Sequence, residues 1–392
     1  MVSRVVAAAA LAGSLLVAGG CARKKEGPSK YVYVTAKEAS LRDRFAAVSN
    51  RTGTVSNGEK LQVLERARRA MKVKTPDGVV GWIEDAKVAD QSVADAFDAL
   101  KQQHEKDPVV ATAAARDEVY LHVAPGRKTD VFYRLNEGDG MNLLARATVA
   151  KPLPPGQTPA SLAAAAAAEK PAGAKGKAEA PAGPVETLME DWWLVRTNKG
   201  QVGWIYSHMI EVTAPDALSR YAEGQRIVGA YVLAQVDDPE SNVVNNGQPV
   251  TKIPEYVTVL SSYKAGLPYD FDQVRVFTWN VHKHRYETAF REKNIEGYLP
   301  VKIFTSKDPY GKLALAQETL PAFSYQVLAA DAPAPQPDPQ TGMVKPGKTI
   351  TKTYRLVQTI CQRILPPGQP APEEAHPQPV EKKEKGKGKR KR

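Results

Sequence analysis

A pair of histidines is the nearest approach in this sequence to a metal-binding motif. His282 and His284 are two residues apart, so on a β-strand both imidazoles lie on one face and can share a metal ion. No cysteine, aspartate or third histidine lies nearby in sequence to complete the ligand set. An exposed polar strand is the commoner explanation of such a pair. We therefore predict neither a metal site nor a cofactor.

Cys361 is the candidate nucleophile of the chain. Its neighbours Ile360 and Ile364 are typical of a buried structural thiol, which is inert. Only His376 follows it, within a proline-rich tail. The sequence also lacks the Gly-x-Ser-x-Gly elbow of serine hydrolases, the His-Glu-x-x-His helix of zinc proteases, a P-loop and a dinucleotide-binding glycine motif. We expect no catalytic residues.

Carboxylates within residues 219–364 keep an enzymatic alternative open. Two carboxyl groups can act as general acid and base when the fold brings them together. Asp270, Asp272 and Glu287 are such scattered groups, and the sequence does not decide whether they meet. The alternative to a binding protein is thus a hydrolase, or an accessory subunit of an enzyme, with its site in this region.

The N-terminus has the features of an export signal that ends at a cysteine. An apolar run from Val5 to Ala18 follows a short positive segment, and two glycines precede Cys21. The run is shorter than the roughly 20 apolar residues of a transmembrane helix. This pattern resembles a bacterial lipoprotein signal. The resemblance implies that residues 1–20 are removed, that lipid is attached to Cys21, and that residues 21–30 are a tether.

The same resemblance implies a location in the cell envelope, with the membrane as a partner through the lipid. The residue after the cysteine is Ala22, whereas an aspartate at this position would resemble an inner-membrane retention signal. The periplasmic face of the outer membrane is therefore favoured, and the outer face of the plasma membrane is the alternative.

An internal repeat organises the first half of the chain. Thr75–Ile83 recurs as Thr197–Ile205, each copy being a glycine-ending turn followed by an extended Gly-Trp-Ile run. Two upstream blocks match as well and are equally spaced in both copies. They are Ala39–Arg42 with Val119–His122 and Gly58–Leu64 with Gly138–Leu144.

These ordered blocks resemble the bacterial SH3-like domain. Its pattern is a Leu-x-Val-Arg-x-x-Pro strand and turn, a Gly-x-x-hydrophobic strand and a closing Gly-x-x-Gly-Trp-hydrophobic motif. The second copy has His122 in the arginine position and keeps Pro125, whereas the first keeps Arg42 and lacks the proline. The resemblance implies small five-stranded barrels over residues 31–90 and 110–212, and recognition or spacing rather than catalysis.

Aromatic residues of the repeats are the candidate binding groups. Trp82 and Trp204 lie in the closing strand of their repeats, where the resemblance implies that each braces its barrel. Alternation along a strand sends one of the adjacent Trp192 and Trp193 inward and the other outward. The predicted binding residues are Tyr120, Trp192, Trp193 and Tyr206.

The rest of the chain divides into a helix, a β-rich region and low-complexity segments. The sequence predicts a linker helix over residues 91–109, with Asp90 or Ser92 as its N-cap. Strand-like runs within residues 219–364 predict a separate antiparallel β-rich domain, interrupted by a proline-rich loop. Residues 147–190 are rich in Pro, Ala, Gly and Lys, so we expect a disordered insert there. Residues 365–392 are rich in Pro, Glu and Lys, so we expect a disordered basic tail.

Charge and cysteine content narrow the possible partners. The net charge is +11, but the twelve residues from Glu381 hold eight Lys or Arg and two Glu and contribute +6 of it. The folded part is only mildly basic, so the charge says little about a nucleic-acid surface, and nucleic acid is not an expected partner of an exported chain. A single thiol remains after processing, so no disulfide framework exists. The sequence favours a non-enzymatic, lipid-anchored scaffold that binds peptidoglycan or an envelope protein; the alternative is a cell-wall hydrolase or enzyme accessory subunit.

Overall fold

A computed structural model describes residues 30–153, 188–245 and 247–377. Most of these residues form β-strands, which pair antiparallel in three seven-stranded sheets and one small hairpin. The predicted mainly β fold is therefore confirmed. The signal peptide, Cys21, nearly all of the tether, residues 154–187 of the insert and residues 378–392 of the tail lie outside the described residues.

The first sheet curls around one core and is called the first barrel here. Val32, Leu61 and Ile83, from different strands, are buried in the same apolar cluster, so the sheet bends around them. Its strand order is β3-β2-β6-β5-β4-β1-β7. The strands are β1 (Tyr31–Val34), β2 (Glu38–Arg42), β3 (Arg51–Ser56), β4 (Lys60–Arg66), β5 (Ala70–Lys74), β6 (Val80–Glu84) and β7 (Val88–Asp90), with a 3-10 turn at Asp85–Lys87.

The second sheet, called the second barrel, repeats this topology strand for strand. Its order is β10-β9-β13-β12-β11-β8-β14, which is the first order with each strand number raised by seven. The internal duplication in the sequence is thus present in the fold. The strands are β8 (Ala111–Ala115), β9 (Val119–His122), β10 (Val131–Leu135), β11 (Gly140–Ala150), β12 (Met189–Thr197), β13 (Val202–Tyr206) and β14 (Ile210–Val212), with a 3-10 turn at Ser207–Met209.

The low-complexity insert is shorter than the predicted range of residues 147–190. Strands β11 and β12 pair from Ala147 opposite Trp192 to Ala150 opposite Met189. Glu190 and Asp191 are buried within this ladder. The ends of β11 and β12 therefore belong to the barrel, although their composition does not distinguish them from the insert. The predicted insert therefore begins after Ala150 and ends before Met189.

One helix lies between the barrels and packs against both. Helix α1 spans Gln91–Gln103 and begins after Asp90, so it is shorter than the predicted linker. Phe97 is buried on the second barrel, with its ring 5.8 Å from that of Phe132. Phe132 also meets Tyr33 of the first barrel edge to face at 5.7 Å. The Asn57 side chain of the first barrel donates to the Phe132 carbonyl oxygen (3.1 Å), which fixes the contact.

The third sheet contains most of the remaining chain and has the order β15-β18-β19-β20-β21-β22-β23. Two of the strand-like runs in this region, Arg285–Arg291 and Tyr298–Ile303, belong to one long strand, β20. Its strands are β15 (Arg226–Asp237), β18 (Lys252–Ser261), β19 (Phe271–Asn280), β20 (Arg285–Ser306), β21 (Leu320–Leu328), β22 (Thr349–Val357) and β23 (Ile360–Arg363); β16 (Val244–Asn245) and β17 (Gln248–Pro249) form the hairpin, and α2 (Asp216–Ser219) and α3 (Ala314–Gln317) are single turns.

A buried arginine joins the second barrel to the third sheet. Arg146 lies on β11, and its guanidinium group is almost wholly buried. Although burial alone lowers the pKa of Arg146, the carboxylates of Asp270 and Asp191 raise it, so the group stays charged. The guanidinium group donates hydrogen bonds to Asp270 Oδ1 (2.9 Å), Asp191 Oδ1 (3.3 Å), Thr148 Oγ1 (3.1 Å) and the carbonyl oxygens of Leu267 and Tyr269 (both 2.9 Å). The predicted β-rich domain therefore packs against the second repeat.

Part of the predicted disordered tail packs on the third sheet. The side chain of Lys352 is buried, and its ammonium group donates to both carboxylate oxygens of Glu374 (2.9 and 2.8 Å) and to Glu292. Burying one ammonium group requires opposite charge beside it, and Glu374 supplies that charge from the tail. The tail predicted from residue 365 onward is thus held on the sheet at Glu374, whereas residues 367–373 are exposed.

We expect Arg146→Ala to lower the free energy of unfolding by about 3–5 kcal/mol, because it leaves the Asp270 carboxylate without its cation and leaves buried Asp191 with only the more distant Arg226. Urea denaturation of the full mature chain measures this change. The matched control is Arg285→Ala, which breaks an exposed ion pair with Glu287 and should cost about 1 kcal/mol or less. Equal effects of the two variants would contradict the role assigned to Arg146.

Candidate functional site

Neither of the adjacent tryptophans of β12 presents its ring to solvent. Trp192 is 1% exposed and Trp193 is 5% exposed. Alternation does separate them, since Trp193 belongs to the core of the second barrel and Trp192 to a cluster on its outer face. That outer face is covered, so the prediction that one ring faces solvent is wrong. A continuous Trp-Trp-Leu-Val run is typical of a strand buried on both faces, and this signal was available in the sequence.

The outer cluster also contains Trp204, which therefore does not brace the inside of its barrel. The inward residues of the closing strands are Ile83 in the first barrel and Ile205 in the second. Trp82 lies on the outer face of the first barrel and is partly exposed. The expectation that Trp82 and Trp204 fill the barrel cores is therefore wrong, because Gly and Ile, and not Trp, occupy the inward positions of Gly-Trp-Ile.

The third sheet and its connecting segments, residues 216–377, are called the third unit here. One of its segments covers the outer cluster of the second barrel. The Thr148 N–H donates to the Gly342 carbonyl oxygen (2.7 Å), and Met343 lies opposite Ala147 in an antiparallel bridge. The Met343 side chain packs on the cluster, together with Leu100 from α1. The proline-rich stretch predicted as a loose loop is thus docked on the barrel at these residues.

An open groove of about 740 Å³ lies between this segment, α1 and the second barrel. Its apolar walls come from Leu100, Pro125 and Met343, with Trp204 at its base. Amide, imidazole, hydroxyl, carboxylate and ammonium groups also line it. The polar lining residues are Gln103, His104, Gln336, Asp338, Gln340, Thr341 and Lys345. The groove thus combines apolar surface with hydrogen-bonding groups, as ligand-binding clefts do.

The two predicted tyrosines lie on the second barrel in different settings. Tyr206 is partly buried, 5.6 Å from the ring of Trp192, with the Arg127 guanidinium 4.9 Å from its own centroid. Tyr120 lies beside Arg134, whose guanidinium is 5.9 Å from the ring. Arg134 in turn contacts Asn57 of the first barrel through its backbone N–H. Tyr206 thus borders the covered aromatic cluster, whereas Tyr120 lies towards the junction of the barrels.

His122 stands in the arginine position of the family pattern and is held in place by packing. Its ring meets Trp192 edge to face at 4.9 Å, and its Nδ1 lies 2.9 Å from the Thr129 hydroxyl group. Burial lowers the pKa of His122, so the neutral imidazole is favoured. The His122 side chain therefore packs as a neutral ring against the outer cluster of the second barrel, rather than acting as a cationic binding group.

The histidine pair of the third unit is not on a strand. Strand β19 ends at Asn280, and His284 lies in the following turn with a positive φ of 47°. His284 Nδ1 lies 2.7 Å from Asp238 Oδ2, which also accepts a hydrogen bond from the Trp279 indole at the same distance. The shared strand face expected for His282 and His284 is therefore wrong. Among the described residues, no group of three His, Cys, Asp or Glu side chains is placed to hold a metal ion.

The three candidate carboxylates of the enzymatic alternative do not converge. Asp270 precedes β19, whereas Glu287 lies opposite Thr278 near the other end of that strand, roughly 25 Å away at 3.3 Å per residue. Hydrogen bonds from Asn280 and Lys283 lower the pKa of Glu287 to about 2, so it is ionised and has no proton to donate at neutral pH. Burial raises the pKa of Asp272, which accepts a hydrogen bond from Gln225 (2.8 Å).

The remaining thiol has the properties predicted for a structural residue. Cys361 lies opposite Leu356 at the edge strand β23 and packs against the core of the third sheet. Burial, with a contribution from the charge of Glu255, raises the pKa of Cys361 to about 12. The group is therefore a neutral thiol at physiological pH and a poor nucleophile.

Comparisons with known proteins give no family. No protein-family model and no curated protein matches the chain. Among solved structures, it is similar to an NlpC/P60 family protein from Bacillus cereus ATCC 10987, with 9% identity, coverage of 66% of this chain and 93% of that chain, and a TM-score of 0.20. NlpC1 and NlpC2 from Trichomonas vaginalis match with 6% and 7% identity, each over 68% of this chain and over 90% and 97% of theirs, with TM-scores of 0.15 and 0.14. Scores this low support no argument about fold or function.

The described residues also contain no helix long and apolar enough to cross a membrane. The candidate residues that sequence reasoning missed are those that line the groove. Leu100 lies on the predicted helix and Pro125 in the turn of the family pattern, but nothing in the sequence joins them to Met343. That juxtaposition depends on a contact between segments more than 200 residues apart in sequence.

The two equivalent tryptophans should respond differently to truncation. Trp204→Ala removes a ring buried between the barrel, α1 and the Met343 segment, so we expect a loss of about 3–5 kcal/mol in unfolding free energy. Trp82→Ala is the matched control, because the partly exposed Trp82 ring leaves no enclosed cavity, and the loss should be about 1–2 kcal/mol. Denaturant unfolding of both variants measures the difference. A larger loss for Trp82→Ala would contradict the outward placement of its ring.

Proposed function

We propose that this protein is a non-enzymatic, lipid-anchored scaffold of the bacterial cell envelope that binds peptidoglycan in the groove beside Trp204. The observation that carries the proposal is the composition and shape of that groove. It is open, it lies between two packed units, and its lining combines apolar side chains with amide groups. Such a surface suits a long, uncharged or weakly charged chain better than a small reactive substrate.

Peptidoglycan presents the groups that this lining can recognise. Its sugar rings and alanine side chains have apolar faces that pack on Leu100, Pro125 and Met343. Its N-acetyl and peptide groups form hydrogen bonds with the amides of Gln103 and Gln340. The ammonium group of Lys345 lies at the groove and matches the carboxylates of the stem peptides. A second envelope protein is the other ligand class that the sequence favours.

The hydrolase alternative lacks comparable support. Asp270 is held in an ion pair with Arg146, and Glu287 contacts Lys283 and Arg285. Each carboxylate is therefore engaged at a separate position in the third unit, and none of them lines the groove. We base the proposal on binding and assign no catalytic residue.

The anchor rests on the sequence alone and needs its own test. Replacing Cys21 by Ser removes the sulfur that accepts the lipid, so we expect the protein to leave the detergent phase on Triton X-114 partitioning. Wild-type protein made in the same bacterium is the control. If Cys21→Ser partitions and migrates like the wild type, the lipoprotein assignment is wrong.

Two neighbouring glutamines on α1 provide a matched test of the groove. Gln103 lines it and Gln102 does not, although both are exposed. Gln103→Trp should fill the groove and lower retention of the full mature chain on purified sacculi about tenfold, whereas Gln102→Trp should leave retention unchanged. Co-sedimentation followed by quantitative blotting measures the bound fraction.

The same samples test the absence of catalysis. Mass spectrometry of the sacculi after incubation should show no new muropeptides. New fragments would overturn the non-enzymatic assignment, equal retention of the two glutamine variants would exclude the groove, and no retention of the unsubstituted chain would exclude peptidoglycan as the ligand.

A further inference from the structure

The first barrel carries three exposed apolar side chains on the outer face of its strands. Leu64 on β4 and Val80 on β6 are 48% and 39% exposed, and Trp82 on β6 is partly exposed. Their neighbours Leu61 and Ile83 point inward and are fully buried. The three outward side chains are therefore not needed for the core of their own barrel.

The duplicated barrel shows what happens when the same positions are covered. By the matching sequence blocks and strand order, the counterparts are Leu144, Val202 and Trp204, which are only 5%, 1% and 3% exposed. Both leucines even occupy the same irregularity in their ladders, between Val63 and Glu65 in one barrel and between Leu143 and Ala145 in the other. In the second barrel the cover is the extended segment that inserts Met343, helped by Leu100. The outer face is thus shaped to receive an extended chain bearing an apolar side chain.

The first barrel differs from the second in the charge around this face. Lys72 lies opposite Trp82, Lys74 lies opposite Val80, and Arg42 pairs with Trp82 from the other side. None of these three cations forms an ion pair within the described parts of the chain, and Glu65 opposite Lys72 lies beyond ion-pair distance from it. Their counterparts in the second barrel are His122, Leu194 and Arg196. An occupant of the first face therefore meets two more cationic side chains than the Met343 segment does.

The loop beside this face adds apolar surface at its edge. Phe45 lies between β2 and β3 and is exposed. Its counterpart at the same distance from the repeat motif is Pro125, which lines the groove of the second barrel. Residues 30–90 contain twelve Lys or Arg against eight Asp or Glu, so the whole barrel attracts anionic partners.

We propose that the outer face of the first barrel, formed by Leu64, Val80 and Trp82 with Arg42, Lys72 and Lys74, docks an extended acidic segment of another protein. Asp or Glu residues of that segment flank a Met, Leu or similar apolar side chain, which seats between Leu64 and Trp82. The cations form charge-assisted contacts with the flanking carboxylates. This docking surface lies on a different barrel from the peptidoglycan groove and does not depend on it.

Selection of peptides against the full mature chain, made with Cys21→Ser and without its signal peptide, tests the proposal. Short random linear peptides displayed on phage are panned on the protein, and the selected sequences are synthesised. Fluorescence anisotropy then gives their affinities for the unsubstituted chain and four variants. Val80→Asp and Lys72→Glu change the face, and Val244→Asp and Lys312→Glu change exposed residues of the same types in the third unit.

The proposal predicts selected peptides rich in Asp and Glu around one apolar residue, with affinity that falls as salt is added. Val80→Asp and Lys72→Glu should each weaken binding about tenfold, and the two control variants should not. Circular dichroism melting checks that all four variants remain folded. Because Val80 is exposed and Lys72 lies on the outer face, partly exposed, both face variants are expected to fold normally.

Three results would overturn the proposal. One is selection of peptides that lack acidic residues or that bind all variants equally. Another is failure to select any peptide. The third concerns vesicles of phosphatidylglycerol and phosphatidylethanolamine. If the protein sediments with these vesicles, if Val80→Asp abolishes that sedimentation and if the peptides do not compete with it, the face is a membrane-binding surface.

Discussion

The buried guanidinium group of Arg146 determines how the second barrel and the third sheet are placed. Removing a charged group from water costs several kcal/mol unless carboxylates and hydrogen-bond acceptors surround it. Asp191 and Thr148 provide part of that environment from the second barrel, and the segment from Leu267 to Asp270 provides the rest. Because all of these partners must be present together, the two units have one relative position. The groove beside Trp204 exists only because that position brings the Met343 segment to the barrel.

The two barrels show how one sequence pattern acquires two roles. Each has a Gly-Trp-Ile closing strand, whose isoleucine fills the core and whose tryptophan points away from it. An outward tryptophan packs against outer-face neighbours of its own barrel, as Trp204 does against Leu144 and Trp192, so its further burial depends on what the rest of the chain brings there. For Trp204 the third unit and α1 provide that cover. Trp82 has no such cover among the described residues and remains part of a surface.

Ionisable groups in the third unit act as structural partners rather than as reagents. Glu292 and Glu374 neutralise the buried Lys352, and Tyr354 also donates to Glu292 (3.2 Å). Asp238 accepts hydrogen bonds from Trp279 and is contacted by His284, and although burial alone raises its pKa, these contacts lower it. Such pairs hold loops and the C-terminal segment on the sheet. Asp270 and Glu287, two of the carboxylates considered as acid or base, are likewise engaged, by Arg146 and by Lys283.

Local pattern in the sequence determined the β class, the duplication, the position of α1 and most strands of the third sheet, because turn residues and apolar periodicity act between near neighbours. Ile83 and Ile205 are inward for the same local reason. The sequence did not determine that Glu374 packs on the third sheet, or that Leu100, Pro125 and Met343 share a groove. Each of these depends on contacts between segments far apart in the chain, and a strand pattern specifies which side chains share a face but not what covers it. Only the tertiary structure, fixed by the charge of Arg146 and its distant partners, decided which aromatic residues became core and which stayed available for binding.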